Sequence, residues 1–333
     1  MIRKILCKYK DDEIITNKKL SYIFVKLNNR CNARCSFCSC WKTVSDTSAL
    51  DVINLRKQID KQQPLEVNLS GGEVFLSNNF WPLLECSDNK IQWSITTNGS
   101  FLTKPVIDRM IRNNVKRLFI SIDSYISEQN DRSRGINNLL EIIIKGIKYV
   151  KEKSNDIVVV INHTVTNRNY NQIFSFLYFT KENNVDAVNL IPIKDFREEY
   201  LSIQQIYTFY NQIEKAFKCG IEKTFFVNGY YQIFGNELLD FVHASLGNYH
   251  YIDKINCIMA YNTVFIDCES GDVFPCDTTI WRENKEDYIL GNLTEQTLTE
   301  IWEGETIRQF RNSMFPDLRH SCHSCCDPNN KLI

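Results

Sequence analysis

Residues 22–38 read YIFVKLNNRCNARCSFC, where an apolar, β-branched run passes directly into a cluster of cysteines. The cysteines are Cys31, Cys35 and Cys38, spaced C-x3-C-x2-C on one short loop. Thiolates are soft ligands that bind iron–sulfur clusters or zinc rather than hard cations. A zinc site would need a fourth ligand, and Cys40 lies too close to Cys38 in sequence to complete an unstrained tetrahedron. The loop therefore predicts an iron–sulfur site, with zinc as the alternative.

Five further apolar runs follow along the first two-thirds of the chain. With the first run they occupy residues 22–28, 65–70, 93–98, 117–123, 157–163 and 187–193. Several are nearly continuous in hydrophobic residues, which is typical of parallel strands covered on both faces. The segments between them have helical periodicity, most clearly Asn138–Lys151. This alternation predicts an α/β fold with parallel strands, arranged as an open, partial (β/α)6 TIM-like barrel; a flat doubly wound sheet is the alternative.

Composition narrows the class of protein. Of the 333 residues, 43% are hydrophobic and 24% are charged, as in folded globular proteins. The net charge is −1, without the basic excess of a nucleic-acid-binding surface. The sequence has no apolar run long enough for a membrane-spanning helix and no signal-peptide core near its start. The 13 clustered cysteines favour metal ligation in a reducing compartment over disulfides. We expect a cytoplasmic protein without nucleic-acid or membrane partners.

Short motifs stand at the ends of the next three predicted strands. Ser70–Glu73 reads SGGE, Thr97–Gly99 reads TNG and Ser121–Asp123 reads SID. The stretch Asp131–Gly135 follows with the spacing D-x2-R-G. Ligands of parallel α/β folds bind at the C-terminal ends of the strands, where all these motifs are expected to lie. In this order, and with the aromatic Phe37 before the last cysteine, they resemble the radical S-adenosylmethionine (radical SAM) superfamily.

The resemblance implies two cofactors at the first site, a [4Fe–4S] cluster and S-adenosylmethionine. Cys31, Cys35 and Cys38 would ligate three irons, and S-adenosylmethionine would chelate the fourth. The implied cofactor-binding residues are Phe37, Gly71, Gly72, Glu73, Asn98, Ser121, Asp123, Arg134 and Ile191. Among them, Glu73 and the two glycines would hold the amino group of S-adenosylmethionine, and Arg134 would pair with its carboxylate.

Other strand ends complete the implied site. Ser121 and Asp123 would contact the ribose, and the backbone near Ile191 would contact the adenine. Reductive cleavage would give a 5′-deoxyadenosyl radical that removes a substrate hydrogen atom, with a ferredoxin or flavodoxin as the electron donor. The resemblance identifies no further catalytic residue. Cys40 is a candidate hydrogen donor to a product radical or a bystander thiol, and His163 is a pocket candidate or an ordinary strand residue.

A second group of cysteines lies near the C-terminus. Cys257 and Cys276 belong to a C-x13-G-x4-C pattern, and Cys322 and Cys325 form a C-x2-C pair. Two such pairs can make a four-cysteine site, for which a zinc ribbon is the alternative. Downstream of a radical SAM core the segment resembles the SPASM or shorter Twitch extension. That resemblance implies one auxiliary [4Fe–4S] cluster ligated by these four cysteines. Cys268 and Cys326 are alternative ligands, and for Cys268 a non-ligand role is favoured.

These patterns divide the chain into four segments. We expect an N-terminal extension over residues 1–18, a radical SAM core over 19–200, a bridging helical segment over 201–250 and an auxiliary cluster domain over 251–333. Within the last segment, a hairpin around the turn Glu269–Gly271 and one helix over Leu298–Arg311 are predicted.

The function that the resemblance implies is radical chemistry on an organic substrate. The first hypothesis is a maturase that modifies a ribosomally made peptide. The alternative is a radical dehydrogenase or lyase acting on a small metabolite such as a sugar or aminocyclitol. A protein that only carries electrons is disfavoured, because the three loop cysteines, the GGE motif and Arg134 are all present.

Overall fold

The computed structural model describes two compact units. Its described residues are 19–42, 47–85, 91–193, 197–222, 226–229, 260–277, 279–281 and 284–313. The first unit gathers the described residues within 1–31, 42–95 and 255–333, and the second those within 32–41 and 96–254. The described residues between 260 and 313 therefore group with the first strands of the chain. The predicted functional boundaries at residues 18, 200 and 250 stay predictions.

The described residues form ten strands and nine α-helices. The strands are β1 Tyr22–Lys26, β2 Glu66–Ser70, β3 Gln92–Thr97, β4 Val115–Ser121, β5 Val158–Val165, β6 Ala187–Pro192, β7 Phe226–Gly229, β8 Thr263–Asp267, β9 Asp272–Phe274 and β10 Gly291–Asn292. The helices are α1 Val52–Gln62, α2 Phe80–Glu85, α3 Lys104–Arg112, α4 Ser127–Arg134, α5 Leu139–Lys153, α6 Ile173–Glu182, α7 Ile203–Lys218, α8 Leu298–Glu303 and α9 Glu305–Asn312.

In the first unit, β1 is a central strand. It pairs in parallel with β2 on one side and with β8 on the other, so that Lys26 stands opposite both Ser70 and Asp267. The strand order in this unit is β10-β9-β8-β1-β2-β3. The pairs β8–β9 and β9–β10 are antiparallel, which confirms the predicted hairpin. The parallel pairing of β8 with β1 was not predicted, since pairing across more than 200 residues leaves no local pattern.

In the second unit, β4, β5, β6 and β7 lie side by side and are all parallel. The helix predicted over Asn138–Lys151 is confirmed as α5, which buries Leu140, Ile143 and Ile147. The purely helical prediction for residues 201–250 is wrong in one place, because β7 lies within it. A four-residue strand is too short to show a period in the sequence. Residues 230–250 lie outside the described part.

The single helix predicted over Leu298–Arg311 is also wrong, because it consists of two helices. Thr297 caps α8 in a capping box with Glu300, and the backbone turns extended at Gly304 before α9 begins. Apolar residues recur with the same helical period on both sides of the break, so periodicity alone joins the two helices.

The α/β class is confirmed. The six predicted strands are β1 to β6, each followed by helical structure, and a C-terminal antiparallel hairpin comes later in the chain. Within the described residues, no helix has both the length and the apolar character needed to cross a membrane.

Candidate active site

In the first unit, the Gly-Gly-Glu motif packs against the chain that leaves β1. The Gly72 amide donates to the Asn28 carbonyl at 2.8 Å, and the Glu73 amide donates to the Arg30 carbonyl at 2.8 Å. A Cβ at Gly72 would lie only 2.4 Å from the Arg30 oxygen, so no other residue fits there. Glu73 is fully buried, and its carboxylate accepts from the Phe75 amide. The motif thus fixes the backbone that leads to Cys31.

In the second unit, the cysteine loop is anchored through its backbone. The indole N–H of Trp41 donates to the Cys35 carbonyl at 3.0 Å, and the Arg34 guanidinium lies over the Trp41 ring. The Arg34 amide donates to the Arg134 carbonyl at the end of α4. The next residue, Gly135, has a left-handed φ of 68°, and a Cβ there would lie 2.8 Å from the Arg34 Cβ. Helix α4 therefore ends directly against this loop.

Arg134 is held by a buried carboxylate and reaches the middle cysteine. Its Nη2 donates to Asp123 Oδ1 at 2.8 Å, and its Nε lies 2.6 Å from Asp123 Oδ2. Its Nη1 lies 3.6 Å from Cys35 Sγ, within hydrogen-bond range for sulfur. The Ser133 hydroxyl and the Thr164 amide also donate to Asp123. Asp123, at the end of β4, thus orients a guanidinium beside the loop.

Burial and neighbouring charges together set the pKa values of Cys35 and Arg134. Burial raises the pKa of the Cys35 thiol, and the positive charge of Arg134 opposes that rise. Burial alone would lower the pKa of Arg134, but the negative charges of Asp123 and Cys35 and the hydrogen bonds to both together raise it, so the guanidinium stays charged. A fixed cation beside a thiol stabilises its anionic form, which is the form that ligates metal.

Asn98, predicted to bind cofactor, contacts the cysteine loop. Its side-chain amide donates to Asn32 Oδ1 at 2.8 Å, and Asn32 in turn donates to the Ser100 hydroxyl. The Ser100 amide donates back to Asn98 Oδ1. The Thr-Asn-Gly turn therefore holds the loop residue that follows Cys31.

The remaining predicted site residues lie near Arg134, on β4 and β6, or just after Cys38. The Arg134 guanidinium carbon lies 5.4 Å from the centre of the Phe37 ring. Ser121 is half-buried and stands opposite Asn162 in β5. Ile191 in β6 is half-buried and stands opposite Thr164. Cys40 is half-buried in the short turn that follows Cys38. The cofactor contacts of these residues stay predictions.

His163 lies on the opposite side of β5 from Asn162 and Thr164. Its ring packs on Phe176 of α6 at 4.1 Å between centres. Its Nδ1 lies 3.0 Å from the Ile122 carbonyl, which can only accept, so Nδ1 carries the proton. Its Nε2 is buried without a partner among the described atoms. His163 is therefore a buried strand residue that packs against a helix.

Burial makes this histidine a source of acid sensitivity. Burial lowers the pKa of His163 from 6.5 to about 4, and the charge of Asp123 only partly opposes the effect of burial. The pKa of His163 is lower in the folded state than in the unfolded state. Its contribution to the free energy of unfolding is therefore complete above pH 6.5 and is lost as the pH falls toward 4. In the variant His163→Asn, the unfolding free energy should fall less over this window than in the wild type, by up to about 3 kcal/mol. Urea unfolding at several pH values measures this, and parallel curves for the two proteins would contradict it.

The donor set fits an iron–sulfur cluster. Cys31, Cys35 and Cys38 form no disulfides, and Arg134 donates toward the Cys35 sulfur, as groups around such clusters do. In the part of the chain that the structure describes, no three ligand-type side chains converge closely enough for a single ion. A cube does not require such convergence, because each thiolate binds a different iron.

Only one predicted auxiliary ligand can be located. Cys276 is buried just after β9, whereas Cys257, Cys322, Cys325 and Cys326 lie outside the described residues. Cys268 is buried in the turn after β8, and burial raises the pKa of its thiol far above the usual range.

Sequence analysis missed one residue, Trp41, and one contact, that between Asp123 and Arg134. Trp41 follows the cysteines closely, but a single tryptophan carries no spacing signal. Asp123 was read as a ribose contact, and its pairing with Arg134 depends on how α4 folds back onto the end of β4. The first unit thus carries the Gly-Gly-Glu turn and the second a cysteine loop with an oriented arginine, features expected of a cluster-binding α/β protein.

Comparison with known proteins identifies the family. The sequence profile of the radical SAM superfamily matches residues 25–177, and that of the SPASM iron–sulfur cluster-binding domain matches residues 257–326. The chain is therefore a radical SAM enzyme with a C-terminal SPASM domain. With these domains come their cofactors, S-adenosylmethionine and iron–sulfur clusters.

Several curated relatives are similar over most of their length. The tungsten-containing aldehyde ferredoxin oxidoreductase cofactor-modifying protein of Pyrococcus furiosus is 25% identical, over 92% of this chain and 87% of that protein. The AdoMet-dependent heme synthase of Methanosarcina barkeri is 25% identical, over 90% and 86%. The cysteine-type anaerobic sulfatase-maturating enzyme of Clostridium novyi is 24% identical, over 92% and 85%.

Among solved structures, Streptococcus suis SuiB bound to the precursor peptide SuiA has a similar fold. The TM-score is 0.67 at 18% identity, and the match covers 92% of this chain and 70% of that one. At 18% identity, this similarity shows a shared fold and nothing about the reaction.

Proposed function

We propose that this enzyme abstracts a hydrogen atom from a ribosomally made peptide and so acts as a peptide maturase. When bound, S-adenosylmethionine and the first cluster supply the 5′-deoxyadenosyl radical. The residues of the chain bind and orient. Asp123 holds Arg134 so that one edge of its guanidinium faces Cys35. The remaining surface of this fork is suited to a carboxylate, because its donors are planar and permanently charged.

A row of polar side chains on the second unit carries the proposal. Ser121, Asn162 and Asn189 stand opposite one another on three adjacent parallel strands, and all three are half-buried. Asn189 donates to Asn162 at 3.2 Å, and its own Oδ1 is buried without a partner among the described atoms. An orphaned amide oxygen in a native fold indicates an N–H or O–H group of a bound molecule or water. Amide side chains match the paired donors and acceptors of a peptide backbone.

The relatives support the peptide class without defining the reaction. A sulfatase-maturating enzyme is among the relatives of similar length, and the similar fold of SuiB is seen with a precursor peptide. A small metabolite is the second candidate, because a relative with 25% identity, against 24% for the sulfatase-maturating enzyme, is described as a heme synthase.

Turnover on fractionated cell extract separates the two candidates. Anaerobically reconstituted enzyme, a chemical reductant and S-adenosylmethionine are mixed with peptide-sized or small-molecule fractions, and 5′-deoxyadenosine is measured. We expect the peptide fraction to raise 5′-deoxyadenosine above the uncoupled background and protease treatment to remove the effect. Stimulation by the small-molecule fraction alone would overturn the peptide proposal and leave the radical chemistry intact.

A further inference from the structure

In the first unit, a buried cluster of charged side chains joins β1 to the hairpin formed by β8 and β9. Lys26 Nζ lies 3.1 Å from Asp267 Oδ2 and 3.0 Å from Glu269 Oε2, and the three side chains are only 6%, 9% and 12% exposed. Two carboxylates thus contact one ammonium group, and all three are nearly excluded from water. Burying such a cluster carries a large desolvation cost, so stability alone does not explain why these charges are buried here.

Glu269 also contacts the chain that leads into the cysteine loop. The side-chain amide of Asn29 donates to Glu269 Oε2, the same oxygen that Lys26 contacts. Asn29 stands two residues before Cys31. Its own backbone neighbours Asn28 and Arg30 are the ones that hold the Gly-Gly-Glu motif. Glu269 therefore acts where the chain leaves β1.

The same turn also holds the chain that follows the cysteines. The Cys268 amide donates to the Lys26 carbonyl at 2.9 Å. The Cys268 carbonyl accepts from the Ala49 amide at 2.8 Å and from the Ser48 hydroxyl at 3.2 Å. The turn Asp267–Gly271 is thus bonded to the chain before Cys31 and to the chain after Cys38.

We infer that Glu269 is a positioning residue for the radical SAM cluster, acting through Asn29 on the start of the cysteine loop. A residue of the SPASM segment then helps to set the geometry of the other domain's cluster. Partners outside the ligand sphere orient ligands and tune metal retention. This inference concerns the cysteine loop and does not depend on a peptide substrate. An experiment can therefore contradict it without contradicting the proposed function.

Iron release to a chelator tests the inference in the reconstituted full-length enzyme. Glu269→Ala and Asn29→Ala should each speed iron loss from the first cluster by about tenfold. They should also weaken the change that S-adenosylmethionine produces in the EPR signal of the reduced cluster. Glu269→Gln keeps an acceptor oxygen for Asn29 and should restore near-wild-type behaviour. A protein with alanine at Cys31, Cys35 and Cys38 gives the auxiliary iron to subtract.

Asp267→Asn is the matched control. It alters the same ion cluster but not the contact to Asn29, so its iron release and EPR signal should match the wild type. The inference is overturned if Asn29→Ala retains iron and its EPR response like the wild type. It is also overturned if Asp267→Asn loses iron as fast as Glu269→Ala, because the hairpin as a whole would then be responsible. Asn29→Ala leaves the ion pairs in place, so the test holds even where Glu269→Ala fails to fold.

Discussion

Replacing Cys35 by alanine should reduce reductive cleavage of S-adenosylmethionine by more than about 100-fold, the upper range for losing an outer partner of a metal ligand. Cys35 is the middle cysteine of the loop, and it is the one that Arg134 contacts. Without its thiolate, one iron of the cube would lack a protein ligand. The measurement is 5′-deoxyadenosine formed by the anaerobically reconstituted protein with excess reductant, together with iron per chain.

Cys219→Ala is the control for this experiment. Its thiol belongs to the same unit but is exposed and lies just after α7. The control should cleave S-adenosylmethionine at the wild-type rate and keep all of its iron. If Cys35→Ala cleaves as fast as the control, the assignment of the loop to the first cluster is wrong.

The sequence was sufficient for features that depend on local pattern. The strands β1 to β6 were predictable because each is a short apolar run, and α5 because Leu140, Ile143 and Ile147 recur with the helical period. The cysteine loop was predictable because its three cysteines are neighbours in sequence. The motifs at strand ends could be placed because parallel strands present their C-terminal ends together.

Features that depend on distant pairing were not predictable. The residues of β8 read as a hairpin strand, and only the folded chain shows their parallel register with β1. The break at Gly304 separates two helices that share one apolar period. The family resemblance implies a ribose contact for Asp123, but it gives no sign that the Asp123 carboxylate pairs with Arg134. A single sequence shows helix and strand propensities and hydrophobic periodicity. It does not show which buried charged side chains contact each other.

The pair Asp123–Arg134 should be the most costly one to break among the described ion pairs of the second unit. Both side chains are buried, at 9% exposure for Arg134 and 4% for Asp123. Removing one partner of such a pair leaves an uncompensated buried charge and costs about 3–5 kcal/mol. We expect Asp123→Asn to lower the unfolding free energy by that amount, although asparagine keeps the shape and one acceptor oxygen. Urea unfolding at pH 7 measures the change.

Asp156→Asn tests whether burial is the reason. Asp156 pairs with Lys116 at 3.5 Å, but these side chains are 77% and 37% exposed, so the change should cost less than about 1 kcal/mol. The double variant Asp123→Asn with Arg134→Gln should recover part of the lost stability, because no lone charge stays buried. It should not recover binding of S-adenosylmethionine, since the guanidinium fork is gone. Equal costs for Asp123→Asn and Asp156→Asn would show that Arg134 does not depend on its buried partner, and the proposed orientation of its fork would fail with it.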